Sequence, residues 1–319
     1  MSNSIGHIFR LTTFGESHGV AVGGVIDGCP SRITIDIEAI RRDLRRRRGD
    51  GMEGVTSRHE TDEVEWLSGI LDDQTLGTPI AFLVYNRDAH SDDYQQYRNL
   101  FRPGHCDYTW QQRYGIRDWR GGGRSAARET LARVVAGAIA KQVLDQRGIT
   151  VVAEVDLLGS APPDDTVGGI VRCTITGLPV GMGQPLFGKM QSQLASAMLS
   201  IPSATGFEFG EGFRAVTLSG SQYIDRWNSD FTTQTNHCGG LQGGLTNGMP
   251  LYFRVPFHPV VTLPQPLPCV DAEGQEHIVE PRGRHDRSHV QRATVVVEAM
   301  AALVVLDNLL LLSNTASNQ

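Results

Sequence analysis

Residues 294–312 read TVVVEAMAALVVLDNLLLL, the most apolar stretch of the chain, and its reading decides the fold. Its length is close to that of a bilayer-spanning helix, but Glu298, Asp307 and Asn308 interrupt it. It is therefore expected to be a buried helix, the last of the chain, over about 290–312. Upstream, Leu131, Val134, Val135, Ala138, Ile139 and Leu144 recur at helical spacing, and Gly148 ends the pattern. A helix is expected from near Asp36 through Ile37, Ile40 and Leu44 into Arg45, Arg46, Arg47 and Arg48, where cations complement the helix dipole. A further amphipathic helix is expected from Leu186, Phe187, Met190, Leu194, Ala197 and Met198. Segments 20–35, 76–85, 151–158, 171–175 and 251–255 read as strands, with turns marked by glycine and proline. The order mixes helices and strands without regular βαβ alternation, which points to an α+β fold rather than a doubly wound sheet.

The chain has 319 residues, enough for a sizeable core. Its net charge of -6 argues against general nucleic-acid binding. Five scattered cysteines without a C-x-x-C spacing fit reduced thiols in a cytoplasmic protein, and the N-terminus lacks the apolar core of a signal peptide. Of 29 basic residues only Lys141 and Lys189 are lysines. Arginine is the planar, bidentate anion binder, so this excess suits phosphates and carboxylates, although coding bias would produce it equally well.

Five local patterns can carry chemistry. In Gly15-Glu16-Ser17-His18-Gly19, a histidine between small residues can expose its ring to a ligand and act as an acid near neutral pH, or be a plain loop histidine. Arg102-Pro103-Gly104-His105-Cys106-Asp107 places another proton donor beside an anion binder, with a metal reading open at His105 and Asp107. Gly121-Gly122-Gly123-Arg124-Ser125-Ala126-Ala127-Arg128-Glu129 offers close backbone approach and free amides at a helix start, flanked by arginines, which suits an anion. Neither nucleotide-loop spacing fits it. In Arg282-Gly283-Arg284-His285-Asp286-Arg287-Ser288-His289, a carboxylate among arginines stays ionised as a base or a holder, or simply closes a salt-bridged loop. The glycine pairs of Asn236-His237-Cys238-Gly239-Gly240-Leu241-Gln242-Gly243-Gly244 fit approach to a flat ligand or only tight turns.

Together these motifs, in this order, resemble the chorismate synthase family over nearly the whole chain. The resemblance implies one domain over 1–319, a β-α-β sandwich with a helical layer between two antiparallel sheets, and a homotetramer, or a dimer if a missing insert matters. It implies a lyase that converts 5-enolpyruvylshikimate 3-phosphate to chorismate by 1,4-elimination, with reduced FMN as cofactor and no nucleic-acid or membrane partner. By the same resemblance His18 assists the departing phosphate, His105 sits beside the flavin, and Asp286 takes the relayed proton. Arg124, Ser125, Ala126, Gly243, His258 and Arg284 fall at cofactor positions. Ser17, Arg47, Arg48 and Arg128 fall at substrate positions.

The chain departs from the family pattern in four places. The family has Pro-Cys-Val where this chain has Arg287-Ser288-His289, and Lys-Pro-Thr-Ser-Ser where it has His258-Pro259-Val260-Val261-Thr262. A segment between Val155 and Gly177 is shorter, and the loop 49–55 carries Asp50 and Glu53. Two alternatives stand beside the family's reaction, the first motivated by these differences and the second from outside the family. One is a paralogue that eliminates phosphate from a related substrate. The other is a metal-dependent phosphohydrolase using His105, Asp107, His285, Asp286 and His289.

Overall fold

A computed structural model describes residues 3–50, 60–263, 265–280 and 286–316. Five strands, β1 (Ser4–Ile5), β2 (Arg10–Phe14), β3 (Ala21–Asp27), β4 (Glu65–Ser68) and β5 (Ile80–Tyr85), form one sheet in the order β1-β2-β3-β5-β4. Four more, β6 (Thr150–Leu158), β7 (Gly169–Thr176), β8 (Glu208–Phe209) and β9 (Leu251–Phe257), form a second in the order β8-β9-β7-β6. Every pairing in both sheets is antiparallel. Strand β9 alternates buried and half-buried residues along its whole length, so one face is core and the other is not.

The helices of eight residues or more are α1 (Ile37–Arg48), α2 (Asp107–Tyr114), α3 (Thr130–Asp145), α4 (Met190–Leu199) and α5 (Val290–Ala316). Asp36 caps α1 by accepting from the Ala39 amide at 3.0 Å, and Gly49 ends it in the left-handed region. Helices α3 and α5 pack together between the sheets. A Cβ on Gly137 would sit 2.3 Å from that of Ala299, so only glycine permits this approach.

The stretch that decided the fold is a buried helix. Most of its residues between Val290 and Ser313 are buried inside the protein. Its polar interruptions are pins between layers. Glu298 accepts from Arg46 at 2.7 and 2.9 Å, from Lys141 at 3.1 Å and from the Ala153 amide at 3.0 Å. Asp307 accepts from the amides of His7, Ile8 and Phe9, satisfying three donors at the turn before β2. Asn308 donates to Gln193 on α4 and to the Val304 carbonyl. A buried polar group in a core helix needs partners, and each has found them in a different element.

One helix differs from expectation. Helix α4 begins at Met190, four residues after Leu186. Leu186 is 70% and Phe187 98% exposed. Pro185 and Gly188 bracket these two residues in a turn, so their apparent helical phase places nothing in the core.

Candidate active site

Three consecutive glycines make the wall from which the site is built. Gly121, Gly122 and Gly123 have φ of +58°, +80° and +56°, a left-handed run that side chains resist. A Cβ on Gly121 would lie 2.3 Å from the His18 ring. The histidine therefore packs against bare backbone. Its Nδ1 is 3.1 Å from Ser91 Oγ, and its ring meets Tyr94 edge-on at 5.1 Å. The Ser17 amide donates to the Gly123 carbonyl, tying the first motif to the third.

Gly121 and Tyr94 are also wall residues of a 530 Å³ cavity. The same cavity is lined by His105, Ser125, Ala126, His258, Asp286 and Arg47. These six candidates come from five separate parts of the sequence. His18 does not line this cavity; it packs against two of its wall residues, Gly121 and Tyr94.

A second cavity of 210 Å³ is lined by Ser17, Arg47, Arg48, Glu60, Arg128 and Arg292, with Ala126 and Ala127. Arg47, Arg292, Ala126 and Ala127 belong to both walls, so the two spaces adjoin. Asp62, its side chain fully buried, lies between Arg47 at 3.0 Å and Arg128 at 2.7 Å. Burial alone would raise its pKa, but the two guanidiniums outweigh it and hold the carboxyl below its ordinary value. Burial pulls Arg47 down to about 10, so it remains a cation at neutral pH. Arg47 Nε and Arg128 Nη2 are buried and have no hydrogen-bond partner among the described residues. Arg128 Nη2 is 3.8 Å from Glu60, within ion-pair range but too far for a hydrogen bond.

In the larger cavity the protonation of His105 can be read from its partners. Nδ1 is 3.0 Å from the Pro103 carbonyl, which only accepts, so Nδ1 carries the proton. Nε2 then accepts from the Thr262 hydroxyl at 3.1 Å. Burial, and next Arg102, lower its pKa below the usual histidine value. Arg102 is itself held by Asp107 at 2.8 and 3.1 Å. Asp107 is thus the partner of an arginine, and no group of three metal-ligating side chains occurs among the described residues. Asp286 pairs with Arg292 at 2.5 Å, and Arg292 also donates to the Arg47 carbonyl at 2.9 Å.

Arg124 points to the other side of the glycine wall, into a 490 Å³ cavity with Trp110 and Tyr114. It donates to the Thr13 carbonyl there at 3.0 Å. Gly243 lies in a turn beyond both site cavities, at φ +61°. Arg284 and His285 lie outside the described residues.

Residues that sequence reasoning passed over include Arg292, which bridges both cavities, and Pro202 and Ser203, which line the larger one. Ser203 adopts φ +69°, unusual for a residue with a side chain, and its carbonyl accepts from the His258 amide at 3.1 Å. Nothing in the local pattern around Ser203 signals this. Arg292 lies at the start of the last helix, where the arginine excess was the only available hint.

Comparison with known proteins follows the same lines. A family model described as chorismate synthase matches residues 9–163 and 159–310. The chorismate synthase of Christiangramia forsetii is 46% identical over 341 aligned positions, covering 96% of this chain and 96% of that protein. That of Bacteroides thetaiotaomicron is 46% identical over 352 positions and 98% of each chain. Both alignments exceed the 319 residues present here, so these relatives carry residues that this chain lacks. The two matched segments overlap at 159–163, within the stretch 155–177 where a shortening was expected. A crystal structure of chorismate synthase superposes with a TM-score of 0.74 at 28% identity, covering 96% of this chain and 92% of that one. These comparisons favour the family's own reaction over the paralogue and phosphohydrolase readings.

Proposed function

The chain belongs to the chorismate synthase family of lyases, and from that premise we propose that it converts 5-enolpyruvylshikimate 3-phosphate to chorismate with reduced FMN. The observation that carries this reading is the pair of buried donors, Arg47 Nε and Arg128 Nη2, in a cavity that adjoins the one holding His105 and Asp286. Buried donors without protein partners are costly unless an anion or other acceptor completes them. A phosphate or carboxylate of the substrate does so.

The larger cavity fits a flavin. Its volume lies within the range of small-molecule pockets, and it has apolar walls at Ile201, Val260, Val261, Ala293 and Val296 with imidazoles and hydroxyls at its rim. His105, Ser125, Ala126, Ser203 and His258 would hold the cofactor. When bound, reduced flavin supplies electron density to the breaking carbon–oxygen bond.

The remaining work falls to the protein. Net 1,4-elimination removes a proton from one ring carbon and phosphate, with its bonding pair, from another. Arg47, Arg48 and Arg128 bind substrate anions and stabilise charge growing on the departing phosphate. His18 donates a hydrogen bond or proton to that leaving group. Asp286 is the final acceptor of the ring proton, and Arg292 fixes its orientation. His105, neutral and donating to Pro103, offers a hydrogen-bonding edge without a competing charge. The test is an anaerobic assay with 5-enolpyruvylshikimate 3-phosphate and photoreduced FMN. Chorismate should appear by its ultraviolet absorbance; its absence overturns the reading.

A homotetramer in the cytoplasm completes the proposal. Phe187, Phe213, Val216 and Phe231 are each more than 80% exposed, and a second copy of the chain is the partner that would cover them. Light scattering of the purified protein should give four times the 34.8 kDa chain mass.

A further inference from the structure

His289 stands at the entrance to α5, its carbonyl accepting from the Ala293 amide at 2.9 Å. His289, Ala293 and Val296 follow helical i, i+4, i+7 spacing, and all three line the larger cavity. Nε2 of His289 is buried and has no hydrogen-bond partner among the described residues. Its ring lies edge-on to His258 at 6.3 Å and to Phe257 at 6.1 Å. A buried polar nitrogen at the wall of a cavity is costly unless a ligand meets it.

The surroundings narrow what that ligand can be. Arg292, the nearby guanidinium, is already engaged with Asp286 and the Arg47 carbonyl, on the side of the arginine cavity. Along the same face of α5, Ala293 and Val296 continue the cavity wall with apolar side chains. Burial, then His258 and Arg292, push the His289 pKa down to about 4 against the opposing pull of Asp286, so the ring is neutral at physiological pH. A neutral imidazole whose Nε2 has no partner at a cavity wall suits an uncharged polar edge of a flat ring. It does not suit a phosphate.

We infer that His289 is a cofactor-contacting residue of this chain, which hydrogen-bonds through Nε2 to the heteroaromatic ring of the bound flavin rather than to its phosphate. This rests on the flavin reading given above. With His258 across from it, the slot is walled by two imidazoles at positions where the resemblance puts valine and lysine.

The test is equilibrium binding of FMN and of riboflavin, followed by flavin fluorescence, to the full-length wild type and to His289→Val and His289→Gln. Val should weaken both flavins by the same factor, about tenfold, the scale of one lost hydrogen bond. Gln, which keeps a donor and an acceptor, should restore most of the affinity. Equal binding by wild type and His289→Val overturns the inference alone. A loss seen with FMN but absent with riboflavin places His289 at the phosphate and also overturns it. Failure of the wild type to bind either flavin sinks the flavin reading and this inference together. Should the variants misfold, wild-type protein with 15N-labelled histidine still decides the matter. The His289 Nε2 resonance should shift on FMN addition, and an unmoved resonance refutes the contact.

Discussion

In the smaller cavity burial is balanced by opposite charge. Asp62 sits between Arg47 and Arg128, and the surplus of guanidinium leaves donors for an incoming anion. In the larger cavity burial is answered by shedding charge: His105 and His289 both lose basicity there, and each becomes a neutral hydrogen-bonding ring. The two spaces share Arg47, Arg292, Ala126 and Ala127, so this difference arises across a wall one or two side chains thick. The lesson is that low dielectric does not dictate a single electrostatic outcome. A carboxylate held between two guanidiniums stays ionised, while an imidazole whose burial outweighs the pull of the nearby carboxylates turns neutral.

Removing the carboxylate should break the contrast most severely. Asp62→Asn takes the carboxylate from buried Arg47 and leaves buried Arg128 only Glu60 at 3.8 Å, and should cost about 3–5 kcal/mol in a urea titration. A loss under 1 kcal/mol would mean that the arginines relax into solvent. Next come the imidazoles, which should matter for rate and little for folding. His18→Ala and His105→Ala should each slow turnover about 10–1000-fold with melting temperatures nearly unchanged. Wild-type turnover in either would remove its assigned role. Gly121→Ala tests the wall itself. Its left-handed φ should cost about 1–2 kcal/mol, and its methyl should displace the His18 ring. Turnover should fall, yet Gly121→Ala combined with His18→Ala should be no slower than His18→Ala alone; additive losses would show that the glycine acts independently of His18.

The smallest effect is a pH slope. His289 and His105 have folded pKa values below their ordinary 6.5, so protons bind the unfolded chain more readily. The stability this confers is full above about pH 6.5 and is lost as the pH falls toward the folded value, about 4 for His289. Asp62 adds a similar loss below its ordinary 3.8. The melting temperature should therefore drop between pH 6.5 and 4, and His289→Val should flatten that drop. An unchanged slope in the variant would show that His289 is not held neutral by its surroundings.

The fold was largely legible because its signals are local. The 3.6-residue periodicity of 131–144, the start of α1 near Asp36 and its closing arginine run, and the charges within 294–312 each report on their own turn of chain. The pattern misled at Leu186 and Phe187, where apolar spacing continued into a turn. The site was legible in kind but not in arrangement. His105, Ser125, Ala126, His258, Asp286 and Arg47 were singled out one motif at a time, and they meet at one cavity. Arg124 and Gly243, chosen on the same grounds, face elsewhere.

What the sequence by itself determined is the inventory: which helices form, which arginines, histidines and carboxylates are present, and which order of motifs marks the family. Local backbone preference and side-chain chemistry suffice for that. Only the tertiary structure decided which of them share a wall, that Arg292 joins two cavities, and that Ser203 is held in a left-handed turn beneath His258. Those facts depend on contacts between residues as far apart as Arg47 and Arg292. Such contacts, and the burial that sets each pKa, come into being when the sheets close on the helical layer.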